Sequence, residues 1–447
     1  MTENTLELMI RFNEWWKTGS VRKELKKERK RDLFYNILNY LENRQIIAIY
    51  GLRRTGKTTL MYQIIDHLLE NDVEPKNIIY FSFDEVVAKQ SKIIEDLLET
   101  YSATILKKEW KNAYIFLDEI QHIDNWQAII KRYYDLYPDL KIFISGSGSL
   151  FIKKKSRESL AGRIYEFNLE TLKFEEFLKM KEIDIGDIKK SSNLKELQDL
   201  HKKLLLYKKE IITNLNDYIL KGGFIEIVNE ESLYKVHNYI KSSVIDRITF
   251  HDIPETFDIR EPSLLLKLLN ITAANPGGIC EYQNLADSLK VTRQTISNYI
   301  SYLNEAFLIK LTSNFTGSHL AGTRKARKSY LSDHGIINAL QGKEILDEHS
   351  VGRIVENIVV SYLDAKYFWR TGKEEIDIIL TRDKEIIPLE VKYKNEIKGK
   401  DLKTIQKAIE RLNTNKGIII SKDLFDIRRK DKILIIPLWL FLLVKII

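Results

Sequence analysis

The sequence has little cysteine and no long unbroken apolar segment. Cys280 is the only cysteine among 447 residues, which rules out a disulfide within the chain and is typical of a reducing compartment. The N-terminal residues carry acids without an apolar run, unlike a signal peptide. The apolar run Ile433 to Ile447 covers about 15 residues, short of the ~20 that a spanning helix needs, and Pro437 and Lys445 interrupt it. We therefore expect a cytoplasmic protein without a membrane segment, in which this run forms a buried strand and a docked helix.

Basic residues are in modest excess. Lys and Arg number 71 against 63 Asp and Glu, giving a net charge of +8, which weakly favours contact with polyanions. The stretch VRKELKKERKR, Val21 to Arg31, holds seven basic residues and two acids. It has the composition of a solvated helix face, and contact with phosphate is the alternative interpretation.

Strand-like and helix-like segments alternate from Ile46 to Gly148. Such alternation is typical of a parallel sheet wrapped by helices. From about residue 172 to 270 the apolar spacing is helical, and after about residue 350 a helix precedes strand-like runs again. The sequence therefore predicts an α/β protein with a second α/β region near its C-terminus.

A glycine-rich stretch follows the first of these strands and opens a helix. GLRRTGKT, Gly51 to Thr58, fits the G-x-x-x-x-G-K-[ST] pattern, whose backbone N–H groups cradle phosphates at a helix N-terminus. Lys57 is predicted to contact the β- and γ-phosphates, and the Thr58 hydroxyl to bind Mg²⁺. The predicted nucleotide-binding residues are Gly51, Leu52, Arg53, Arg54, Thr55, Gly56, Lys57, Thr58 and Thr59. The pattern predicts ATP and Mg²⁺ as ligands.

Two acids end a later apolar strand, YIFLDE, Tyr114 to Glu119. Asp118 is predicted to hold Mg²⁺ through water, and Glu119 to act as the general base on the attacking water. Burying both acids without a cation would be costly.

The next strand ends at ISGSGS, and two further residues are candidates for the reaction. Ser145 is predicted to hydrogen-bond the γ-phosphate or the water, with a plain turn as the alternative. Arg163 is a candidate for stabilising transition-state charge, in its own site or in that of a second copy. A surface ion pair is the alternative for Arg163, and Arg53 and Arg54 compete for the same role.

These motifs resemble those of the AAA-type ATPases of archaea and bacteria. GLRRTGKTTL, IFLDEIQHIDNW, ISGSGSLF and SLAGRIYEFNLETLKFEEFL carry the resemblance over residues 30 to 180. GGFIEIV (Gly222 to Val228) and YLSDHGIINAL (Tyr330 to Leu340) are similar to the C-terminal region of that family. The resemblance implies an ATPase followed by a winged helix and a nuclease-like end.

Glu281 to Leu311 has the pattern of a helix–turn–helix. Ile296, Ile300, Leu303 and Phe307 recur at helical spacing after Thr292, a predicted N-cap. The outward positions hold residue types that read DNA grooves, and a basic wing follows. The predicted DNA contacts are Arg293, Gln294, Ser297, Asn298, Arg324 and Lys325. A packing module without DNA contact is the alternative.

EIDIILTRDKEIIPLEVKYK, Glu375 to Lys394, places acids on two strand-like runs joined by a turn. Glu390 and Lys392 share one face of a strand, and Asp377 and Glu356 can reach it. The pattern resembles the PD-(D/E)xK nuclease core, although Ile376 stands where a proline is usual. It implies a metal-dependent cleavage centre of Glu356, Asp377, Glu390 and Lys392. Alternating charges on an edge strand are the plain alternative.

We predict an N-terminal helical extension (1–30), a P-loop ATPase domain (31–170), a helical lid (171–275), a winged helix (276–340) and a restriction-endonuclease-like α/β domain (341–447). The predicted function is ATP hydrolysis coupled to action on DNA, with self-association through Arg163 as one arrangement. The alternative is an ATP-dependent switch whose C-terminal domain binds a partner without cutting DNA.

Overall fold

The computed structural model describes residues 3–84, 92–148, 160–186, 193–257, 259–316, 327–372, 374–382, 385–428 and 430–444. The chain forms two compact units, residues 1–170 and 171–447. Each unit has its own sheet, and the predicted α/β class is confirmed.

Unit 1 contains a five-stranded parallel sheet in the order β2-β3-β4-β1-β5. Its strands are β1 (Ile46–Tyr50), β2 (Ile78–Ser82), β3 (Ala113–Asp118), β4 (Leu140–Gly146) and β5 (Ile164–Asn168). Its helices are α1 (Glu3–Phe12), α2 (Trp15–Thr18), α3 (Lys23–Lys26), α4 (Asp32–Leu38), α5 (Lys57–Glu70), α6 (Lys92–Tyr101) and α7 (Trp126–Leu136). Single helical turns lie at Pro75–Asn77, Ser102–Leu106 and Ile120–His122. Because all strands are parallel, β1 and β3 end at the same edge of the sheet.

The N-terminal helices α1 to α3 are part of this core. Trp15 and Val21 are buried in the same apolar cluster as Ile64 of α5. Lys26 pairs with Asp66 of α5 at 2.7 Å. The predicted N-terminal extension therefore packs against the helices and sheet of unit 1 through these buried side chains.

Unit 2 begins with helices and ends with a mixed sheet. Its helices are α8 (Phe174–Met180), α9 (Leu194–Leu204), α10 (Lys208–Lys221), α11 (Leu233–Tyr239), α12 (Ile253–Thr256), α13 (Pro262–Ala274), α14 (Tyr282–Leu289), α15 (Arg293–Glu305), α16 (His334–Gln341), α17 (Glu348–Leu363), α18 (Gly399–Arg411) and α19 (Leu438–Phe441). Further helical turns lie at Leu205–Tyr207, Ile225–Ile227, Ile240–Asp246 and Ile248–Asp252. Its strands are β6 (Gly278–Ile279), β7 (Ile309–Asn314), β8 (Arg327–Leu331), β9 (Tyr367–Thr371), β10 (Glu374–Arg382), β11 (Glu385–Lys392), β12 (Gly417–Ser421), β13 (Asp426–Arg428) and β14 (Ile433–Pro437).

One nine-stranded sheet runs through unit 2 in the order β13-β14-β12-β11-β10-β9-β7-β8-β6. Strand β7 pairs in parallel with β9 through Ser313 and Tyr367, which joins β6–β8 to β9–β14. The predicted boundary at residue 340 therefore does not separate two sheets. The β7–β8 pair, expected as the wing of an independent domain, is continuous with the C-terminal strands.

The C-terminal apolar run forms the predicted strand and docked helix. Strand β14 is fully buried, and α19 follows it with all of its side chains buried. Within the described residues, the helices are too short or too polar to cross a membrane.

Candidate functional site

The phosphate-loop sequence closes tightly around the end of β1. Gly51 has φ +152°, and a Cβ there would lie 2.3 Å from the carbonyl oxygen of Leu169, so glycine is required by space. Thr55 is buried, and its hydroxyl donates to the carbonyl of Leu52 at 2.9 Å. Helix α5 begins at Lys57, directly after the loop, so its N-terminal N–H groups point toward the loop. This arrangement suits a phosphate group.

The carboxylate of Asp118 lies at the end of β3 and accepts hydrogen bonds from three hydroxyls. Thr58 donates at 2.6 Å and Tyr80 at 2.8 Å, and Ser145 donates to the other carboxylate oxygen. Burial, followed by the charge of Glu119, raises the pKa of Asp118 above its usual range. A buried carboxylate next to a threonine hydroxyl is a donor set that fits Mg²⁺.

Glu119 follows in the left-handed region with φ +53°, directly after β3 ends at Asp118. Its carboxylate accepts from Gln121, and Gln121 also donates to Ser147 at 3.1 Å. Burial raises the pKa of Glu119, but Lys57, Gln121 and Arg53 outweigh it and lower the pKa overall. An ionised Glu119 is the state that a general base requires.

Lys57 connects the loop with this acid. Its Nζ donates to the carbonyls of Gly51 and Leu52 at 3.3 and 3.2 Å and lies 4.0 Å from Glu119 Oε1. The side chain is 4% exposed. Sequence analysis predicted both residues, and the structure brings them together.

Ser145 contacts both of the acids that follow β3. Its hydroxyl donates to Asp118 and accepts from the backbone N–H of Glu119 at 3.1 Å. These two contacts link the side chain of Asp118 to the backbone of Glu119. The predicted bond of Ser145 to the γ-phosphate or to the attacking water stays a prediction.

Arg163 lies at the wrong edge of the sheet for its own site. Its carbonyl accepts from Ile46 N–H at the start of β1, whereas the phosphate loop follows the end of β1. Five residues of strand separate the two edges by roughly 16 Å. The guanidinium pairs instead with Asp135 at 2.9 Å. The structure therefore does not bring Arg163 to the phosphate loop of its own chain, and a role in trans stays a prediction.

Other arginines lie closer to the loop. The charge of Arg53 helps to lower the pKa of Glu119, and the guanidinium of Arg53 lies 3.9 Å from Asp84. Arg54 is exposed, with φ +66°. Arg53 therefore remains a candidate for the role that the sequence also offers to Arg163.

Sequence analysis missed two residues that support this site. Arg31 is 6% exposed and donates to the carbonyls of Thr55 at 3.1 Å and Glu170 at 2.9 Å, which braces the phosphate loop from outside. Tyr80 supports the site through its bond to Asp118. The backbone of Tyr80 is held by Asn13, whose side chain accepts from the Tyr80 N–H and donates to the Tyr80 carbonyl. These contacts join residues more than 20 apart, and no local pattern distinguishes Arg31 from its basic neighbours.

The predicted DNA-contact residues lie at the start of α15. Thr292 caps the helix by accepting from Thr295 N–H, and Ile296, Ile300 and Leu303 are buried. Of the predicted DNA contacts, Arg293, Gln294 and Asn298 are exposed and Ser297 is half-buried. Phe307, which was predicted to be buried, follows α15 and is half-buried. Arg324 and Lys325 lie outside the described residues.

The C-terminal acids gather on β10 and β11, which pair as an antiparallel hairpin. Val391 N–H donates to Asp377 at 2.8 Å, Asp377 N–H donates to Glu390 at 3.3 Å, and Lys392 donates to Glu390. The β9–β10 register shifts between Ile376 and Ile379, a bulge that includes Asp377. Burial and then Asp377 raise the pKa of Glu356 to about 7 and that of Glu390 to about 8.

Two residues of β8 complete this cluster, and sequence analysis missed both. Lys328 Nζ lies 2.7 Å from Glu375 and 3.5 Å from Glu356, and Tyr330 donates to Glu356 at 2.7 Å. Both stand in a basic stretch interpreted as a wing. Only the pairing of β7 with β9 reveals that β8 reaches the acids.

The metal ion implied by the nuclease resemblance does not fit these residues. In the part of the chain that the structure describes, no group of three or more His, Cys, Asp or Glu is arranged to hold a metal ion. The oxygens that would face it are engaged by Lys328, Lys392 and Tyr330. The expected convergence on one metal position is therefore corrected: the acids gather, but around ammonium groups.

Family comparisons agree with the class that the fold and the nucleotide site define, an AAA-type P-loop ATPase. Residues 43–178 match the AAA domain model. Residues 212–346 match a domain of unknown function, DUF8612, and residues 351–441 match another, DUF4143. The ATPase match covers the loop, both acids and Ser145.

The chain belongs to the family of the uncharacterized protein MJ1544 of Methanocaldococcus jannaschii, to which it is 30% identical over 399 residues, 85% of this chain and 82% of that protein. It is 29% identical to MJ1637 of the same organism over an alignment of 465 positions, which covers 98% of this chain and 95% of that protein. An uncharacterized Haemophilus influenzae protein is 24% identical over 365 residues, 80% of this chain and 84% of that protein. These family members span both units.

Solved structures give weaker likenesses. The Aeropyrum pernix ORC1 protein in complex with DNA has a TM-score of 0.31 and 15% identity, covering 69% of this chain and 91% of that chain. AMPPCP-bound DnaA from Aquifex aeolicus has a TM-score of 0.25 and 16% identity, covering 61% and 86%. Such low scores support no inference about this chain.

Proposed function

We propose that unit 1 hydrolyses ATP with Mg²⁺. The observation that carries the proposal is the buried Asp118 carboxylate beside the Thr58 hydroxyl, with Glu119 next to it and 4.0 Å from Lys57. Thr58 and Asp118 would hold Mg²⁺, which supplies positive charge against the phosphates when bound. The nucleotide-binding residues of the loop would wrap the phosphates with their N–H groups.

The remaining steps belong to residues of the chain. Lys57 would exchange its loop carbonyls for the β- and γ-phosphates, which are stronger acceptors. Glu119 would orient a water and accept its proton, since its lowered pKa keeps it ionised. Gln121 bonds the same carboxylate and so controls its direction. Arg53 adds positive charge close to the reacting water.

The test is phosphate release from ATP by the full chain, with Mg²⁺ and with a chelator. Asp118→Asn should reduce turnover by roughly 100-fold or more, the scale of losing a central electrostatic group. Asp139→Asn is the control, because Asp139 is an exposed acid before β4 at the opposite edge of the sheet. Turnover that persists in the chelator, or that Asp118→Asn leaves unchanged, contradicts the proposal.

Unit 2 is proposed to bind DNA through the start of α15. Arg293, Gln294 and Asn298 are exposed there, and Gln294 donates to Asn298 at 2.9 Å, which orients the two amides. Burial raises the pKa of Tyr282, and the charges of Arg327 and Arg293 oppose this, so both arginines lie near this residue of α14. Arg324 and Lys325, outside the described residues, stay predicted contacts. These residue types and positions suit a DNA groove and its phosphates.

Salt-dependent binding to duplex DNA tests this part. Arg293→Ala should weaken binding and reduce the slope of log affinity against log salt by about 1 if it contacts a phosphate. Lys267→Ala is the matched control, since Lys267 is exposed on α13 and pairs with Glu261 at 3.2 Å. Equal binding by all three proteins would contradict a contact through Arg293. Absence of salt-dependent DNA binding by the parent would favour the switch alternative, in which unit 2 binds a protein partner. DNA cleavage is not part of the proposal because the acids of unit 2 do not fit a metal ion.

A further inference from the structure

The acids of unit 2 are surrounded by groups from several parts of the chain. We use the name carboxylate–lysine cluster for Glu356, Glu375, Asp377, Glu390, Lys328 and Lys392. Glu356 comes from α17, Glu375 and Asp377 from β10, and Glu390 and Lys392 from β11. Lys328 comes from β8, which lies three strands from β10 in the sheet order. A long side chain on β8 therefore bridges elements that are not neighbours.

Lys328 is a buried cation with carboxylate partners. It is 3% exposed, although it stands in one of the most basic stretches of the chain. Its Nζ lies 2.7 Å from Glu375 Oε1 and 3.5 Å from Glu356 Oε1. Asp377 also acts on it and, with these glutamates, outweighs burial and raises the pKa of Lys328. A lysine rarely loses its water unless acids compensate it.

The space around Glu356 is filled by the protein itself. Tyr330 donates to Glu356 Oε1 at 2.7 Å, and the same oxygen faces Lys328. A Cβ added at Gly277, which has φ +76°, would lie 2.7 Å from it. The backbone of the segment before β6 thus closes over this carboxylate. A hydrated metal ion would have to displace these groups.

The second lysine compensates the other end of the cluster. Lys392 donates to Glu390, while Asp377 accepts from Val391 N–H at 2.8 Å. Two ammonium groups and one tyrosine hydroxyl thus engage Glu356 and Glu390, two of the acids that the nuclease pattern would assign to a metal, and a backbone N–H engages Asp377. Carboxylates brought this close repel each other strongly unless cations lie among them.

We propose that Lys328 is a built-in counter-ion of the carboxylate–lysine cluster and takes the place of a metal ion. The cluster is then a metal-independent junction that fastens β8 to α17 and β10. This role is separate from ATP hydrolysis and from DNA binding, because here the nuclease-like acids stabilise the fold.

The first experiment measures Mn²⁺ binding to the nucleotide-free full chain by electron paramagnetic resonance. The parent and Asp377→Asn should bind the same number of ions with the same affinity, because the cluster holds none. An ion that the parent binds and Asp377→Asn loses overturns the proposal. Mn²⁺-dependent cleavage of DNA by the parent that Asp377→Asn abolishes overturns it as well. Neither result depends on ATP turnover, so the proposed ATPase succeeds or fails separately.

The second experiment measures thermal unfolding of the full chain carrying Lys328→Met. Leaving buried acids uncompensated should lower its melting temperature by on the order of 10 °C. Lys328→Met with Glu356→Gln should recover part of this loss without metal, since one of the repelling charges is gone. Lys310→Met is the control, because Lys310 lies on the neighbouring β7 and pairs with Asp364 at 3.6 Å at a more exposed site.

A drop no larger in Lys328→Met than in Lys310→Met, or no recovery in the double variant, contradicts the proposal. Should Lys328→Met fail to fold, the double variant is compared directly with the parent. The proposal expects the double variant to fold, and its failure to fold counts against the charge-compensation argument. The Mn²⁺ comparison of parent and Asp377→Asn decides the metal question in either case.

Discussion

Replacing Arg31 with methionine should weaken ATP binding more than it disturbs the fold of unit 1. The buried guanidinium donates to the carbonyl of Thr55, inside the phosphate loop, and to that of Glu170. A hydrogen bond from a charged donor contributes about 1.5–3 kcal/mol. If the bond to Thr55 keeps the loop in its closed shape, then without it the free energy of closing the loop must come from ATP binding. That energy corresponds to a roughly 10- to 100-fold weaker affinity for ATP.

The assay is binding of a fluorescent ATP analogue to the parent, Arg31→Met and Arg44→Met. Arg44 is the matched control, because its guanidinium also donates to a backbone carbonyl, that of Tyr134 at 2.7 Å, but at the other edge of the sheet. Thermal unfolding is measured in parallel. An affinity within about twofold of the parent, together with a lower melting temperature, would refute the reasoning and leave Arg31 a purely structural residue.

Three further predictions concern Tyr80, Arg163 and the acids of unit 2. Tyr80→Phe removes the 2.8 Å bond to Asp118 and should raise the Mg²⁺ concentration needed for half-maximal turnover, whereas an unchanged requirement would mean that Thr58 and Ser145 suffice. Arg163→Ala should leave the turnover of dilute protein unchanged because Arg163 lies at the far edge of the sheet. If turnover is lost and then restored by mixing with a hydrolysis-deficient variant, the arginine is supplied by a second copy of the chain. Unit 2 should become more stable toward chemical unfolding as pH falls from about 8 to 5, by on the order of 1 kcal/mol per pH unit. The pKa of Glu356 and Glu390 is raised in the folded state, which therefore binds protons that the unfolded chain releases. A flat pH profile contradicts this.

The arrangement of the loop and the two acids at one edge of the sheet could be predicted because its signals are local. The loop motif requires glycine where the chain approaches Leu169, and the acids must follow a buried strand. Both features are written in fewer than ten consecutive residues. What the pattern could not provide was the edge of the sheet at which Arg163 lies. That depends on the parallel register of β5 with β1, a pairing across more than 100 residues.

The organisation of unit 2 was harder to predict for the same physical reason. Periodicity predicts that Ile296, Ile300 and Leu303 are buried, and it predicts the hairpin of β10 and β11. It carries no information on which strand lies beside β9. Lys328 has the same sequence surroundings as an exposed wing lysine, and only the β7–β9 pairing brings it to the acids. The charge balance of the cluster therefore had to come from the structure.

The central claim is that Glu119 acts on water at a working ATP site. It is tested most directly by phosphate release from the parent and from Glu119→Gln at saturating ATP and Mg²⁺, with ATP affinity measured on both. Glutamine keeps the size of the side chain and its bond to Gln121 but cannot accept a proton. We predict unchanged affinity and a loss of turnover of about 100-fold or more, the scale of a general base. Equal turnover by the two proteins, or no turnover by the parent, would contradict the account.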